Sequence, residues 1–200
     1  MADYTTKAVV KGELGITDTA DDTTIDQIIA AVTLWINRYC GRVFDIANPV
    51  QGQGTSTRTY TAASTGIVYI DDAIEIVLIE TDDGTRTYAT TMDADTYEGY
   101  PYNAPAAGGV YTQINAFYGG AFPTTPRAIR VEARYGWAAV PAPVVRACII
   151  QTMRLYKRKD APFGVVGSTS AEMGQLMVIP KLDPDVKFLL DAYKRHWWVA

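Results

Sequence analysis

Histidine is almost missing from this sequence. His196 is the single imidazole among 200 residues, and it stands beside Trp197 and Trp198 in the last few positions. A catalytic histidine works from a fixed, oriented setting, so triads built on one fail at their first member. Cysteine is nearly as scarce. Cys40 and Cys148 fall on apolar faces of predicted helices, have no partner pattern, and read as small buried hydrophobes. Without a Cys-x-x-Cys or His-x-x-x-His spacing, four protein ligands for zinc cannot be assembled. No apolar run approaches the ~20 residues that a membrane-spanning helix needs. The opening MADYTTKAVVKGEL has neither the basic region nor the long apolar region of a secretory signal. The expectation is a chain made and folded in a cytoplasm.

Other chemistry is excluded by spacing. Gly108-Gly109 and Gly119-Gly120 are isolated pairs, with neither a phosphate-loop nor a dinucleotide spacing around them. Gly167-Ser168-Thr169-Ser170 lacks the G-x-S-x-G pattern and the strand–turn–helix setting of a nucleophile elbow. Asp71-Asp72 and Asp82-Asp83 are the best paired carboxylates, but neighbours on a strand point to opposite faces, so neither pair converges on one point. Both are assigned to turns between strands, where Asp is common. No catalytic, cofactor-binding or metal-binding residue is therefore expected, and no enzyme.

What is present describes a folded protein. Apolar residues make up 48% and charged residues 20%, which suits a soluble domain or one domain with an insertion. The net charge of −4 conceals two poles. From Asp71 to Glu98 the acids are Asp71, Asp72, Glu75, Glu80, Asp82, Asp83, Asp93, Asp95 and Glu98, against Arg86 alone. From Arg127 to Asp160 the bases Arg127, Arg130, Arg134, Arg146, Arg154, Lys157, Arg158 and Lys159 face only Glu132 and Asp160. Such poles are either solvated surface or complementary faces for copies and neighbours.

Periodicity predicts a short helix over 6–14, capped by Thr5 or Thr6 and ended by Gly15. A second helix follows Asp22 or Thr23, with Ile25, Ile28, Ile29, Val32, Trp35, Ile36 and Tyr39 on one stripe and Gly41 as its stop. Between 57 and 135 the texture turns to Thr, Tyr, Val and Ile broken by Gly, Asn, Asp and Pro. Strands are expected at 57–62, 67–70, 74–80, 85–90, 110–118 and 127–135, with Asp83-Gly84 as a hairpin turn. In the last of these Ile129, Val131, Ala133 and Tyr135 alternate with Arg130, Glu132 and Arg134. Helix resumes after Val140, with Pro141 or Pro143 in its first turn, an apolar stripe through Val144, Val145, Cys148, Ile149, Thr152, Leu155 and Tyr156, and a basic end suited to the helix dipole. Residues 160–180 read as a long loop. A last helix starts at Pro184, capped by Asp183.

The fold class is therefore α+β: a small bundle of about four helices, 1–50 and 136–200, carrying an antiparallel β-rich insertion over 51–135. The tyrosines Tyr97, Tyr100, Tyr102, Tyr111 and Tyr118 leave a second reading open, a carbohydrate-binding or other β-rich interaction module, although Tyr is also a good strand residue.

The order of parts carries a resemblance. ITDTADDTTIDQIIAAVTLWINRYCGRVF, then TRTY, YIDDAIEIVLIE, VEARYGWAAVPAPVVRACIIQTMRLYKRKDAPFGVVG and LDPDVKFLLDAYKR resemble, nearly end to end, the head–tail connector (adaptor) proteins of long-tailed bacteriophages. The β-rich middle is longer than the shortest members carry, and its acidic turns match no motif of the family. The resemblance implies a virion protein without enzymatic activity, assembled in the host cytoplasm. It implies a homo-oligomeric ring of about a dozen copies beneath the portal, continuing the DNA channel. Its implied partners are the portal protein and a tail completion or tail terminator protein, with passing DNA a further candidate, and no membrane or cofactor. Under that reading Tyr135, Gly136 and Trp137 are a hinge and packing anchor. Arg154, Lys157, Arg158 and Lys159, Phe163 of the 160–180 loop, and Trp197 and Trp198 are the candidate interface residues.

Overall fold

The helices form where apolar residues recur at three- and four-residue steps. In the computed structural model, which describes residues 3–47, 54–160 and 183–195, helix α1 is Lys7–Leu14, α2 is Asp22–Cys40, α3 is Ala142–Lys157 and α4 is Pro184–Asp191. Pro141 stands at the N-cap of α3 and Pro143 lies in its first turn, where the missing N–H is not needed. Asp183 caps α4, its side chain accepting from Asp185 N at 2.9 Å.

Residues 3–43 with 141–195 form one compact unit, and residues 44–140 form a second. In the helical unit α3 packs against α2, α4 and α1. Val10, Ile25 and Ile29 are buried together against Leu14, Met153 and Tyr156. Val32, Ile36, Cys40, Val144, Ala147, Cys148, Val186 and Leu190 are likewise buried. Each large side chain so removed from water contributes about 1.5–3 kcal/mol. Burial pushes both thiols, Cys40 and Cys148, up to about 11.

The β unit is one antiparallel sheet. Its strands are β1 (Ser56–Tyr60), β2 (Ile67–Thr81), β3 (Thr90–Thr91), β4 (Tyr97–Tyr100), β5 (Tyr111–Ala116) and β6 (Ile129–Tyr135), in the order β1-β6-β2-β5-β4 with β3 beside β2. Val68, Ile70, Ile79, Ile114, Phe122, Ile129, Val131 and Ala133 make its core. On β6, Ile129, Val131 and Ala133 are fully buried, while Arg130 and Arg134 on the other face pair with Glu80 (2.6 Å) and Glu75 (2.8 Å) of β2.

Three expectations are corrected here. Asp71-Asp72 is not a turn: β2 runs unbroken through it, with register shifts between Tyr69 and Ala73 and again between Ala73 and Glu75. Those irregularities let one strand pair with β5 through its first half and with β6 through its second. The stretch 85–90 is not a strand. Arg86 and Tyr88 are left-handed (φ 61 and 49), which breaks pairing until Thr90. Conversely, Tyr97–Tyr100 is a strand the alternation did not reveal, its Gly99 lying so close to the Tyr111 ring that a Cβ would sit 2.6 Å from it.

Candidate interaction surfaces

The segments by which the chain enters and leaves the β unit, around Ile46 and Trp137, are joined by a cluster around Trp137. Trp137 N donates to Asp45 O (2.8 Å), and Ala47 N donates to Trp137 O (2.8 Å), so the incoming and outgoing segments bridge in parallel at Ile46 and Trp137. The Trp137 ring packs on Phe44 with centroids 5.2 Å apart, and its Nε1 donates to the buried Asp72 Oδ2 (3.2 Å). Gly136, at φ 113, donates to Asp72 O (2.8 Å). A Cβ there would meet Asp45 O at 2.7 Å and Ala47 N at 2.9 Å, so the position requires glycine for both conformation and space. The packing anchor expected at 135–137 is thus built largely from a carboxylate that the sequence had placed in a turn.

Asp71, on the opposite side of β2 from Asp72, organises a second cluster. Its Oδ2 accepts from Arg58 (2.7 Å) and from the Tyr60 hydroxyl (3.0 Å). The Arg58 guanidinium lies 4.0 Å over the Tyr135 ring. Burial raises the Tyr135 phenol, with the Tyr60 hydroxyl adding to the shift. Asp82, also buried, accepts from Arg86 N (2.6 Å) and fixes the loop after β2. All these carboxylates have structural partners, and among the described residues no group of three or more His, Cys, Asp or Glu is placed to hold a metal ion.

The basic end of α3 is held within its own unit. Arg154 pairs with Asp183 at 3.0 Å. Lys159 pairs with Asp21, which also accepts from the Tyr156 hydroxyl (2.6 Å), and its ammonium lies 4.7 Å over the Tyr156 ring. The Lys159 bond, then the Tyr156 bond, hold the Asp21 carboxyl below its usual range, and the same bond raises Lys159. Arg158 is half-buried and Lys157 is exposed. Phe163, Trp197, Trp198 and nearly all of the 160–180 loop lie outside the described residues.

Exposed apolar side chains mark further surface. On the helices these are Val9, Leu34 and Phe188, the last 82% exposed. In the β unit they are Ile46, Tyr69, Val77, Tyr100, Tyr102 and Tyr118, the last 89% exposed. Of the five tyrosines singled out in the sequence, Tyr100, Tyr102 and Tyr118 are exposed, while Tyr97 and Tyr111 are half-buried.

No family model matches the chain, and no curated protein does. Among solved structures, the fold is similar to a chain of the neck of an empty gene transfer agent particle computed with C6 symmetry. That likeness has a TM-score of 0.51 and 16% identity, covering 94% of this chain and 88% of that one. It is similar also to a chain of the virion of the native gene transfer agent particle, with a TM-score of 0.50 and 15% identity over the same shares, 94% and 88%. At these identities the likeness establishes a shared fold over nearly the whole chain.

Proposed function

We propose that the protein is a structural component of a phage-like particle neck, a head–tail connector. It forms a ring beneath the portal, extends the DNA channel and offers a platform for tail attachment. The observation that carries this reading is the fold likeness to a neck chain over 94% of the sequence, in agreement with the sequence resemblance to connector proteins. Both lines embrace the helical unit and the β unit together, whereas a carbohydrate-binding module would account only for the sheet.

A ring of identical subunits joined head to tail needs two unlike, complementary faces on each copy. Glu75 and Glu80 are paired with Arg134 and Arg130 inside each copy, so the unlike charge available for such faces is that of the exposed Asp93, Asp95 and Glu98 against the exposed Arg127 and Lys157. Lys157, exposed at the end of α3, is the cation of that helix best placed to meet a neighbour, since Arg154 and Lys159 have partners in their own unit. Arg158, Phe163, Trp197 and Trp198 complete the proposed contacts with the portal, a neighbouring copy or the tail completion protein.

Native mass measurement of the protein alone and mixed with a portal ring tests the reading. The expected result is a closed oligomer of about a dozen copies, in solution or on the portal. Particles lacking the protein should hold DNA-filled heads without tails; efficient tailing in its absence overturns the proposal.

A further inference from the structure

Among the described residues, β1 and β4 are the two end strands of the path β1-β6-β2-β5-β4. β1 is bonded on one side to β6 and β4 on one side to β5, and among the described residues no backbone hydrogen bond reaches the other side of either strand. Exposed edges are templates for another strand, and proteins commonly blunt them with lysine, proline or a covering segment. Neither Ser56–Tyr60 nor Tyr97–Tyr100 contains lysine or proline.

The two margins are chemically unlike. Along β4 the exposed groups are Asp93, Asp95 and Glu98, with Tyr100 and Tyr102 set edge to face 5.2 Å apart. Tyr118 joins this margin. Phe117 N donates to Thr96 O (2.9 Å) immediately before β4, and Gly120 approaches Thr96 so closely that a Cβ would lie 2.6 Å from its carbonyl oxygen. The turn so fixed holds Tyr118 outward at φ 49. Along β1 the corresponding groups are cations. The Arg58 side chain is 45% exposed but pairs with Asp71 of its own copy at 2.7 Å, so a neighbour's carboxylate would share that guanidinium. Arg127 is exposed, its backbone N donating to Thr61 Oγ1 (2.9 Å) and its guanidinium lying on Thr59 Oγ1 at 3.2 and 3.3 Å. Arginine and tyrosine are enriched in protein–protein interfaces, and arginine opposite carboxylates adds complementary charge.

Topology sets the direction of approach. Four antiparallel steps separate β1 from β4, so the two margins run the same way. Copies related by rotation about a ring axis keep their strand directions relative to that axis. The β1 margin of one copy therefore meets the β4 margin of the next in parallel, whereas β1 against β1 requires a twofold axis and antiparallel strands.

We propose that β4 of one copy adds to β1 of the next, so that the sheets continue from subunit to subunit, with Arg58 and Arg127 set against Asp95, Glu98 and the tyrosines. This assignment rests on the ring reading above and names the contact that would build it. Its partner is a second copy of this chain, joined by strand addition.

The test uses the full chain in two variants, Thr57→Cys and Glu98→Cys, each retaining its native thiols, which burial holds at about 11 and so keeps protonated at pH 8. Both substituted positions are exposed, and far-UV circular dichroism checks that the folds are unchanged. Under mild oxidation the mixture should give a covalent dimer at least tenfold more abundantly than either variant alone, and a chain carrying both substitutions should give a ladder. Glu98→Lys should raise the concentration for half-assembly tenfold or more. A ring by mass measurement with no mixed cross-link, or with Thr57→Cys cross-linking to itself as readily as to Glu98→Cys, overturns the strand-addition proposal and leaves the ring reading standing. A monomer at every concentration, with and without a portal ring, overturns both.

Discussion

The helical unit and the β unit are held together by different means. In the helical unit, apolar stripes bury side chains such as Ile29, Ile36 and Val144, and the ion pairs Lys11–Asp22, Arg154–Asp183 and Lys194–Asp191 surround them. In the β unit an apolar core is supplemented by buried or half-buried polar anchors, with Asp72 on Trp137, Asp82 on the Arg86 amide and Asp71 on Arg58 and Tyr60. Apolar packing tolerates approximate shape, while a polar anchor fails when one partner is lost, because the other stays desolvated. The units should therefore respond differently to small changes.

The largest effect is expected at Gly136. Gly136→Val adds a side chain at a left-handed φ and within 3 Å of two backbone atoms, and it should cost about 4 kcal/mol or more. Hydrogen exchange should show the loss at the amides of β2 and β6. Ile36→Ala in the helical unit should cost about 3 kcal/mol, read from urea unfolding followed by circular dichroism. Trp137→Phe keeps the ring on Phe44 but removes the donor to Asp72 and should cost about 2 kcal/mol. Equal protection of the β2 amides in Trp137→Phe and the parent would erase the distinction between the units.

How far this division was legible follows from the range of the interactions. The stripes of α2 and α3 repeat within a few residues, so their extents were readable, down to Asp183 as the cap of α4. The course of β2 was not. Two adjacent aspartates signal a turn locally, and Asp72 is acceptable inside a strand because Trp137, 65 residues away, supplies a donor. Tyr97–Tyr100 was hidden for a related reason: Gly99 weakens the strand signal, yet it is the residue that admits the Tyr111 ring. The basic end of α3 was visible as charge, but its pairing of Arg154 with Asp183 and of Lys159 with Asp21 joins positions 29 and 138 residues apart. No spacing rule reaches those distances.

Acid sharpens the comparison with a smaller effect. Lys187 first, then Lys194 and the Tyr39 hydroxyl, hold the Asp191 carboxyl well below the usual carboxylate range, and Lys11 does the same for Asp22. A depressed carboxylate stabilises the folded state fully above its unfolded pKa and loses that contribution as pH falls through the folded value. Stability of the helical unit should thus be flat from pH 7 to about 4, where an unperturbed Asp titrates, and decline below it. Asp191→Asn should flatten part of the decline, and added salt should shrink it because the groups are exposed. The smallest effect is expected for Lys157→Ala, within about 0.5 kcal/mol of the parent in thermal melts, while under the proposed connector function the same variant should bind a portal ring more weakly.

The bridge between Ile46 and Trp137 means that the two ends of a 97-residue excursion, Phe44–Val140, leave and rejoin the chain side by side. A loop anchored in this way can be enlarged, shortened or exchanged through evolution without stretching the helices from which it springs.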